Sequence, residues 1–99
     1  MARRVILFKP QALDHLGRLP VREQRMVTDG IRRHLVDNDP LIETRNKFRL
    51  RRTSALADYE LRLEDLRVFY RVVEMEVWIT VVGRKRGNAL IVAGKEYTL

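Results

Sequence analysis

The sequence predicts an α+β domain in which an N-terminal strand and a two-helix hairpin pack on a small antiparallel sheet. Two observations support this prediction. Apolar residues of the N-terminal third recur at helical spacing. Of three later runs, two alternate between apolar and polar residues as half-buried strands do, and the third is β-branched or aromatic throughout. Because very short breaks join these three runs, we expect them to form an antiparallel meander.

The N-terminal third predicts one strand followed by two helices. A short apolar run forms the strand, and Pro10 ends it and suits the first turn of a helix. The second helix carries one apolar stripe, because Val27, Ile31 and Leu35 are four residues apart. The predicted elements are a strand at residues 4–8, a short helix at 10–16 and a longer helix at about 20–37.

The remaining strands belong to the meander and to a small terminal hairpin. Residues 59–63 and 66–73 alternate, and residues 77–82 are β-branched or aromatic at every position. We expect the third of these strands to end at Gly83. The terminal hairpin is predicted from apolar residues 89–92, a turn at Gly94 and residues 96–99.

The segment 41–56 is the least regular and the most basic part of the chain. We expect a loop along the edge of the sheet, although part of it is compatible with a strand. Five of its residues between positions 45 and 52 are positively charged, with Phe48 and Leu50 between them. Two interpretations stay open, a solvated connector and an RNA-binding strip that follows phosphates. The strip consists of Arg45, Lys47, Arg49, Arg51 and Arg52.

Length and composition indicate one folded domain over residues 1–99, with 45% hydrophobic and 33% charged residues. The chain has no cysteine, which excludes disulfides and cysteine catalysis and suits a reducing cytosol. The apolar runs are far shorter than the roughly 20 residues that cross a membrane. The N-terminal stretch has too few apolar residues for a secretory signal. We therefore expect a cytoplasmic protein without a membrane partner.

The formal net charge of +7 indicates polyanions or acidic proteins as partners. The alternative is a basic surface that only confers solubility. Familiar catalytic sets are absent from the sequence. His15 and His34 fall on predicted helices as surface or boundary residues, and no spacing suggests a metal site or a cofactor loop.

The remaining chemistry belongs to arginine and lysine on the sheet. Arg62 and Arg67 flank a tight turn, so they lie on adjacent strands, where they repel each other unless an anion or a carboxylate lies between them. Arg84, Lys85 and Arg86 follow the next strand, and we expect this cluster to converge with Arg67 on one basic face. One interpretation is salt bridges to Glu60, Glu64 and Asp65. The other is an anion site, in which fixed cations stabilise the charge that grows on a phosphate as the ribose 2′-hydroxyl attacks it.

Three motifs and the order of elements resemble the RelE/ParE superfamily of toxins from bacterial type II toxin–antitoxin systems. The motifs are YELRL at 59–63, LRVFYRV at 66–72 and VVGRKR at 81–86. They look like the family patterns Y-x-[IL]-[RK]-[LV], Y-R-[VL]-x-Y-x-V and V-G-[KH]-R. The resemblance covers nearly the whole chain.

The resemblance implies a cytoplasmic toxin that a co-encoded, acidic and partly disordered antitoxin neutralises. One branch cleaves mRNA on the ribosome without a metal or cofactor, and the other inhibits DNA gyrase. In the first branch, Arg62 falls at a basic strand position and Arg67 at the arginine that contacts the scissile phosphate. Arg84 and Lys85 fall at the basic pair after V-G, and Arg86 extends the RNA-binding set.

We therefore favour a ribosome-dependent mRNA endonuclease, with a gyrase inhibitor or a non-catalytic basic nucleic-acid-binding domain as alternatives. Two positions depart from the family pattern. Glu60 stands where RelE-like enzymes often carry a second lysine. The aromatic residue that follows the basic pair in many members is not matched, because Tyr97 comes too late in the sequence.

Overall fold

The computed structural model describes residues 3–52 and 54–99, which fold into two α-helices, a π-helical segment and seven strands. The predicted α+β class is confirmed. Within the described residues, no helix is long and apolar enough to cross a membrane. In chain order the elements are β1 (Val5–Phe8), α1 (Pro10–Gly17), α2 (Val21–Ile31), the π-helical segment (Arg32–Val36), β2 (Lys47–Arg49), β3 (Tyr59–Leu63), β4 (Leu66–Val73), β5 (Glu76–Arg86), β6 (Ala89–Val92) and β7 (Lys95–Glu96).

The strands form one sheet in the order β2-β3-β4-β5-β6-β7, and neighbours along this path are antiparallel. The predicted meander is therefore β3-β4-β5. The N-terminal strand β1 pairs parallel with the first half of β5, from Glu76 to Ile79. Strand β6 pairs with the last residues of β5, from Arg84 to Arg86. Strand β5 is consequently the strand that joins the N-terminal and C-terminal parts of the sheet.

Two segments that carry basic candidate residues differ from the sequence-based expectation. The basic segment 41–56, apart from Thr53, which lies outside the described residues, contributes the edge strand β2 at Lys47–Arg49. Strand β5 continues through Gly83, where we expected it to end, because β6 supplies a new pairing partner. A Cβ atom at Gly83 would lie 2.7 Å from the backbone oxygen of Ile91, so glycine permits the close approach of β6.

The two faces of the sheet differ in what covers them. The helices cover one face, which we call the helical face, and its core joins both helices to all strands of the meander. The buried residues of this core are Ala12, Val27, Ile31, Leu35, Tyr59, Leu61, Leu66, Val68, Tyr70, Val77, Ile79 and Val82. The opposite face, which we call the open face, carries a smaller cluster built on Phe69, Val81 and Val92.

A strap of residues 54–58 packs on the open face. Its Leu56 and Ala57 belong to the smaller apolar cluster. Arg71 of β4 fixes the strap, because its guanidinium donates to the backbone oxygens of Ser54 at 3.0 Å and Ala55 at 3.2 Å. The same side chain donates to the Asp58 carboxylate at 3.2 Å. The strap and the apolar cluster therefore cover one part of the open face. Arg62 and Arg67 lie beyond them, beside the β3–β4 turn.

A bulge in β5 determines which side chains of this strand lie on the helical face and which lie on the open face. Phe69 of β4 pairs with Val81, but the next residue, Tyr70, pairs with Ile79, so Thr80 is the extra residue. Alternation along β5 changes phase at this point. As a result Lys85 lies on the open face, together with Val81, whereas Arg84 lies on the helical face.

Candidate phosphate-binding site

Arg62 and Arg67 face each other across the β3–β4 pair, and a carboxylate lies between them. The two residues are direct register partners on the open face. The Glu60 Oε2 atom is 2.9 Å from Arg62 Nε and 3.4 Å from Arg67 Nε. Two guanidinium groups on neighbouring strands therefore converge on one oxygen. The predicted salt bridge to Glu60 is confirmed for both arginines.

Arg67 is also a structural residue of the tight turn. Its Nη1 atom donates to the backbone oxygens of Glu64 at 2.6 Å and Leu66 at 2.9 Å. Burial and the neighbouring charge of Arg62 lower the pKa of Arg67, and Glu60 and Asp65 oppose this shift. The side chain remains a cation at neutral pH, since the ordinary arginine pKa is far above 7. Replacing Arg67 would remove turn contacts as well as a charge.

Lys85 lines a cleft of about 400 Å³ on the open face. Arg51, Arg52 and Glu60 also line the cleft, and Phe69, Leu90 and other apolar side chains form its floor. The Lys85 Nζ atom donates to the backbone oxygen of Asn88 at 3.3 Å. The arrangement is a basic rim over an apolar floor, which suits a phosphate on the rim and a base or sugar on the floor.

Arg84 and Arg86 do not join this site, which corrects the expectation that the whole basic cluster converges. Because they alternate with Lys85, both side chains lie on the helical face, where they line a separate pocket beside His15 and Arg18. Arg84 binds Glu23 of α2 and Asp65, and hydrogen bonding to Glu23 raises the pKa of Arg84. The predicted salt bridge from this cluster to Asp65 is confirmed. Through its salt bridge to Glu23, Arg84 connects β5 to α2.

The residues of the predicted RNA-binding strip are also divided between the two faces of the sheet. Lys47 is buried on the helical face and donates to the backbone oxygen of His34 at 2.6 Å, so it does not offer its charge to RNA. Arg49 lies over the Tyr59 ring on that face. Arg51 and Arg52 are exposed at the rim of the Lys85 cleft. Arg45 is exposed in the loop before β2.

Tyr97 belongs to the cleft, although its position in the sequence did not match the family pattern. The β6–β7 hairpin folds back, and the Tyr97 amide donates to the backbone oxygen of Leu90 at 2.9 Å. This return brings Tyr97 to the same cleft as Lys85. The signal in the sequence was the turn at Gly94, since a hairpin returns a distant residue to its starting strand.

The fold and site define a small, basic α+β protein whose sheet carries cations and one bridging carboxylate beside an aromatic-lined cleft. Among residues 3–52 and 54–99, no group of three or more His, Asp or Glu side chains is placed to hold a metal ion. A wider groove of about 620 Å³ lies elsewhere, between β1 and α2, and holds none of the predicted site residues.

Solved structures that share this fold include two toxin–antitoxin complexes. One is the toxin–antitoxin complex RelBE2 from Mycobacterium tuberculosis, with a TM-score of 0.67 and 23% identity over 85% of this chain and 100% of that chain. The other is the archaeal RelE–RelB complex from Pyrococcus horikoshii OT3, with a TM-score of 0.63 and 28% identity over 90% of this chain and 100% of that chain. No protein-family model and no curated protein matches the chain.

The chain therefore has the RelE fold, and the resemblance to the RelE/ParE superfamily is confirmed.

Proposed function

We propose that this chain is the toxin of a type II toxin–antitoxin pair and that it cleaves mRNA on the ribosome in the cytoplasm. The observation that carries the proposal is the RelE fold with Arg62, Arg67 and Lys85 on one face of its sheet. An antitoxin partner is supported by the two similar structures, both of which are toxin–antitoxin complexes. An acidic, partly disordered antitoxin suits a chain of net charge +7.

The site residues suit cleavage by the ribose 2′-hydroxyl. The 2′-oxygen attacks phosphorus, its proton leaves to solvent, and the bond from phosphorus to the 5′-oxygen breaks. A 2′,3′-cyclic phosphate and a 5′-hydroxyl result. Arg62 and Arg67 stabilise the charge that grows on the phosphate, and the Lys85 ammonium donates a proton to the departing 5′-oxygen. Arg51, Arg52 and Tyr97 hold the neighbouring phosphates and a base.

Lys85 gives the sharpest test, because Arg67 also supports the turn. We expect Lys85→Met to lower cleavage by about 100-fold or more, the usual cost of removing one stabilising donor. Lys95→Met is the matched control, since Lys95 is exposed on β7 outside the cleft. The measurement is inducible expression in a bacterial host, reading growth, protein synthesis and transcript ends.

The unaltered chain and Lys95→Met should arrest translation early and produce new cuts inside coding regions, whereas Lys85→Met should permit growth. Growth arrest with intact transcripts and blocked replication would instead favour a gyrase inhibitor. Normal growth with the unaltered chain would reduce the function to nucleic-acid binding. Full toxicity of Lys85→Met would contradict the role of Lys85.

A further inference from the structure

The Glu60 carboxylate lies where a phosphate oxygen would satisfy both arginines. Its Oε2 atom is within 3.4 Å of the guanidinium Nε atoms of both Arg62 and Arg67. Convergence of two guanidinium groups on one oxyanion is the arrangement with which proteins hold phosphates as well as carboxylates. Glu60 and Arg62 lie on the same strand and the same face, so this carboxylate reaches the position between the arginines from within the chain.

The internal ion pair is incomplete. The side chains of Glu60 and Arg67 are only 11% and 12% exposed. Even so, the Arg67 Nε atom is buried and makes no hydrogen bond to any residue that the structure describes. A buried charged donor without a hydrogen bond is costly. An anion with oxygens in a tetrahedral arrangement has more ways than one carboxylate to satisfy both guanidinium groups.

Glu60 also connects the arginine pair to the cleft, because it pairs with both arginines and lines the cleft. It lines the cleft with Arg51, Arg52 and Lys85. Neither Arg62 nor Arg67 is among the cleft-lining residues. An anion bound in the cleft therefore contacts Glu60 and neither arginine.

We propose that Glu60 is a specificity-determining residue that occupies the phosphate position in the free chain and is displaced by an RNA phosphate. This inference rests on the function proposed above. A free phosphate ion must displace Glu60 with its own contacts alone. An RNA strand is also held by Arg51, Arg52 and Lys85, so it has additional contacts that offset the displacement. The carboxylate thereby selects single-stranded RNA over small anions.

The test compares binding of one uncleavable probe, a hexameric RNA with 2′-O-methyl sugars, at one fixed low salt concentration. Glu60→Gln keeps the shape of the side chain and removes its charge, so we expect about tenfold tighter binding. Glu74→Gln is the matched control, because Glu74 is exposed in the β4–β5 turn at the other end of β4. The loss of this distant charge should change affinity by less than about twofold. Fluorescence anisotropy gives the affinities, and circular dichroism checks the fold.

A second measurement needs no substitution. Titration of the unaltered chain with the same hexamer should shift the Nε–H nuclear magnetic resonance signals of Arg62 and Arg67, and inorganic phosphate at equal concentration should not. Equal affinities for Glu60→Gln and Glu74→Gln, or arginine signals that stay in place while the hexamer binds, would overturn the masking role. Either result would leave mRNA cleavage standing. Tighter binding by Glu60→Gln combined with harmless expression of the unaltered chain would instead contradict the nuclease and retain the masked anion site.

Discussion

At the scale of single residues, His15 completes the hydrogen bonding of the central strand. Strand β5 pairs with β1 as far as Ile79 and with β6 from Arg84 onward, so the amide of Val82 faces neither partner. The His15 Nδ1 atom accepts a hydrogen bond from this amide at 3.3 Å. His15 is thus a buried structural residue of α1, more enclosed than the surface or boundary position we expected.

The buried imidazole predicts a pH dependence of stability. Burial lowers the pKa of folded His15 below the ordinary value of 6.5. The unfolded chain therefore binds more protons as the pH falls through about 6.5, and stability is full above that pH and declines below it. The His15→Asn variant keeps a hydrogen-bond acceptor but does not titrate. Between about pH 7.5 and 5.5, we expect its melting temperature to fall less than that of the unaltered chain.

Thermal unfolding of the two proteins across this range is the measurement. Some pH dependence will remain in the variant, because burial also lowers the pKa of His34. Carboxylates titrate at lower pH and contribute little in this window. Identical pH profiles for the two proteins would show that His15 is not coupled to unfolding.

The sequence predicted the pairing of Arg62 and Arg67 but not what lies between them. The tight turn and the alternation of β3 and β4 are local signals, and they correctly place the two arginines opposite each other. Glu60, Glu64 and Asp65 all remained candidates for the bridging acid. Alternation puts Glu60 on the open face with both arginines, but Glu64 and Asp65 are also close in sequence, and the choice among the three acids depends on side-chain packing.

At the scale of elements, the bulge at Thr80 explains which residues of the basic cluster lie on each face of the sheet. Uninterrupted alternation from Val77 and Ile79 would put Lys85 on the helical face. The extra residue reverses this assignment, so Lys85 joins the cleft while Arg84 turns to Glu23. A continuous run of β-branched residues conceals such a change of phase, because every position in it tolerates burial.

Gly83 tests the close approach of β6 to β5. A Cβ atom at this position would lie 2.7 Å from the Ile91 backbone oxygen and 2.8 Å from a methyl group of Val92. We expect Gly83→Ala to lower the free energy of unfolding by about 1–3 kcal/mol, because a paired backbone cannot yield without losing hydrogen bonds. Urea-induced unfolding measures the loss.

Gly17→Ala is the matched control for this substitution. Gly17 is the last residue of α1, and a Cβ atom there meets nothing within 4 Å. Alanine at this position should be neutral or stabilise the chain by up to about 1 kcal/mol, through the lower entropy of the unfolded state. Equal free energies of unfolding for Gly83→Ala and Gly17→Ala would show that the close approach of β6 does not require glycine at position 83.

At the scale of the whole molecule, the positive charge is divided between two faces. The open face carries Arg62, Arg67, Lys85 and the two arginines of the cleft rim. On the helical face, Arg84 is paired with acids and Lys47 is buried. Element order and local motifs predicted the fold and the family resemblance. They did not predict this division, because it depends on strand phase and on a hairpin that returns Tyr97 to the cleft.

Cleavage of ribosome-bound mRNA by the purified chain tests the central claim most directly. The measurement maps transcript ends after the chain is added to purified ribosomes that hold a defined message. We predict cuts at the codon in the decoding site, with 2′,3′-cyclic phosphate ends, and their loss with Lys85→Met but not with Lys95→Met. Intact message under conditions in which the same chain arrests growth in cells would contradict the proposed endonuclease.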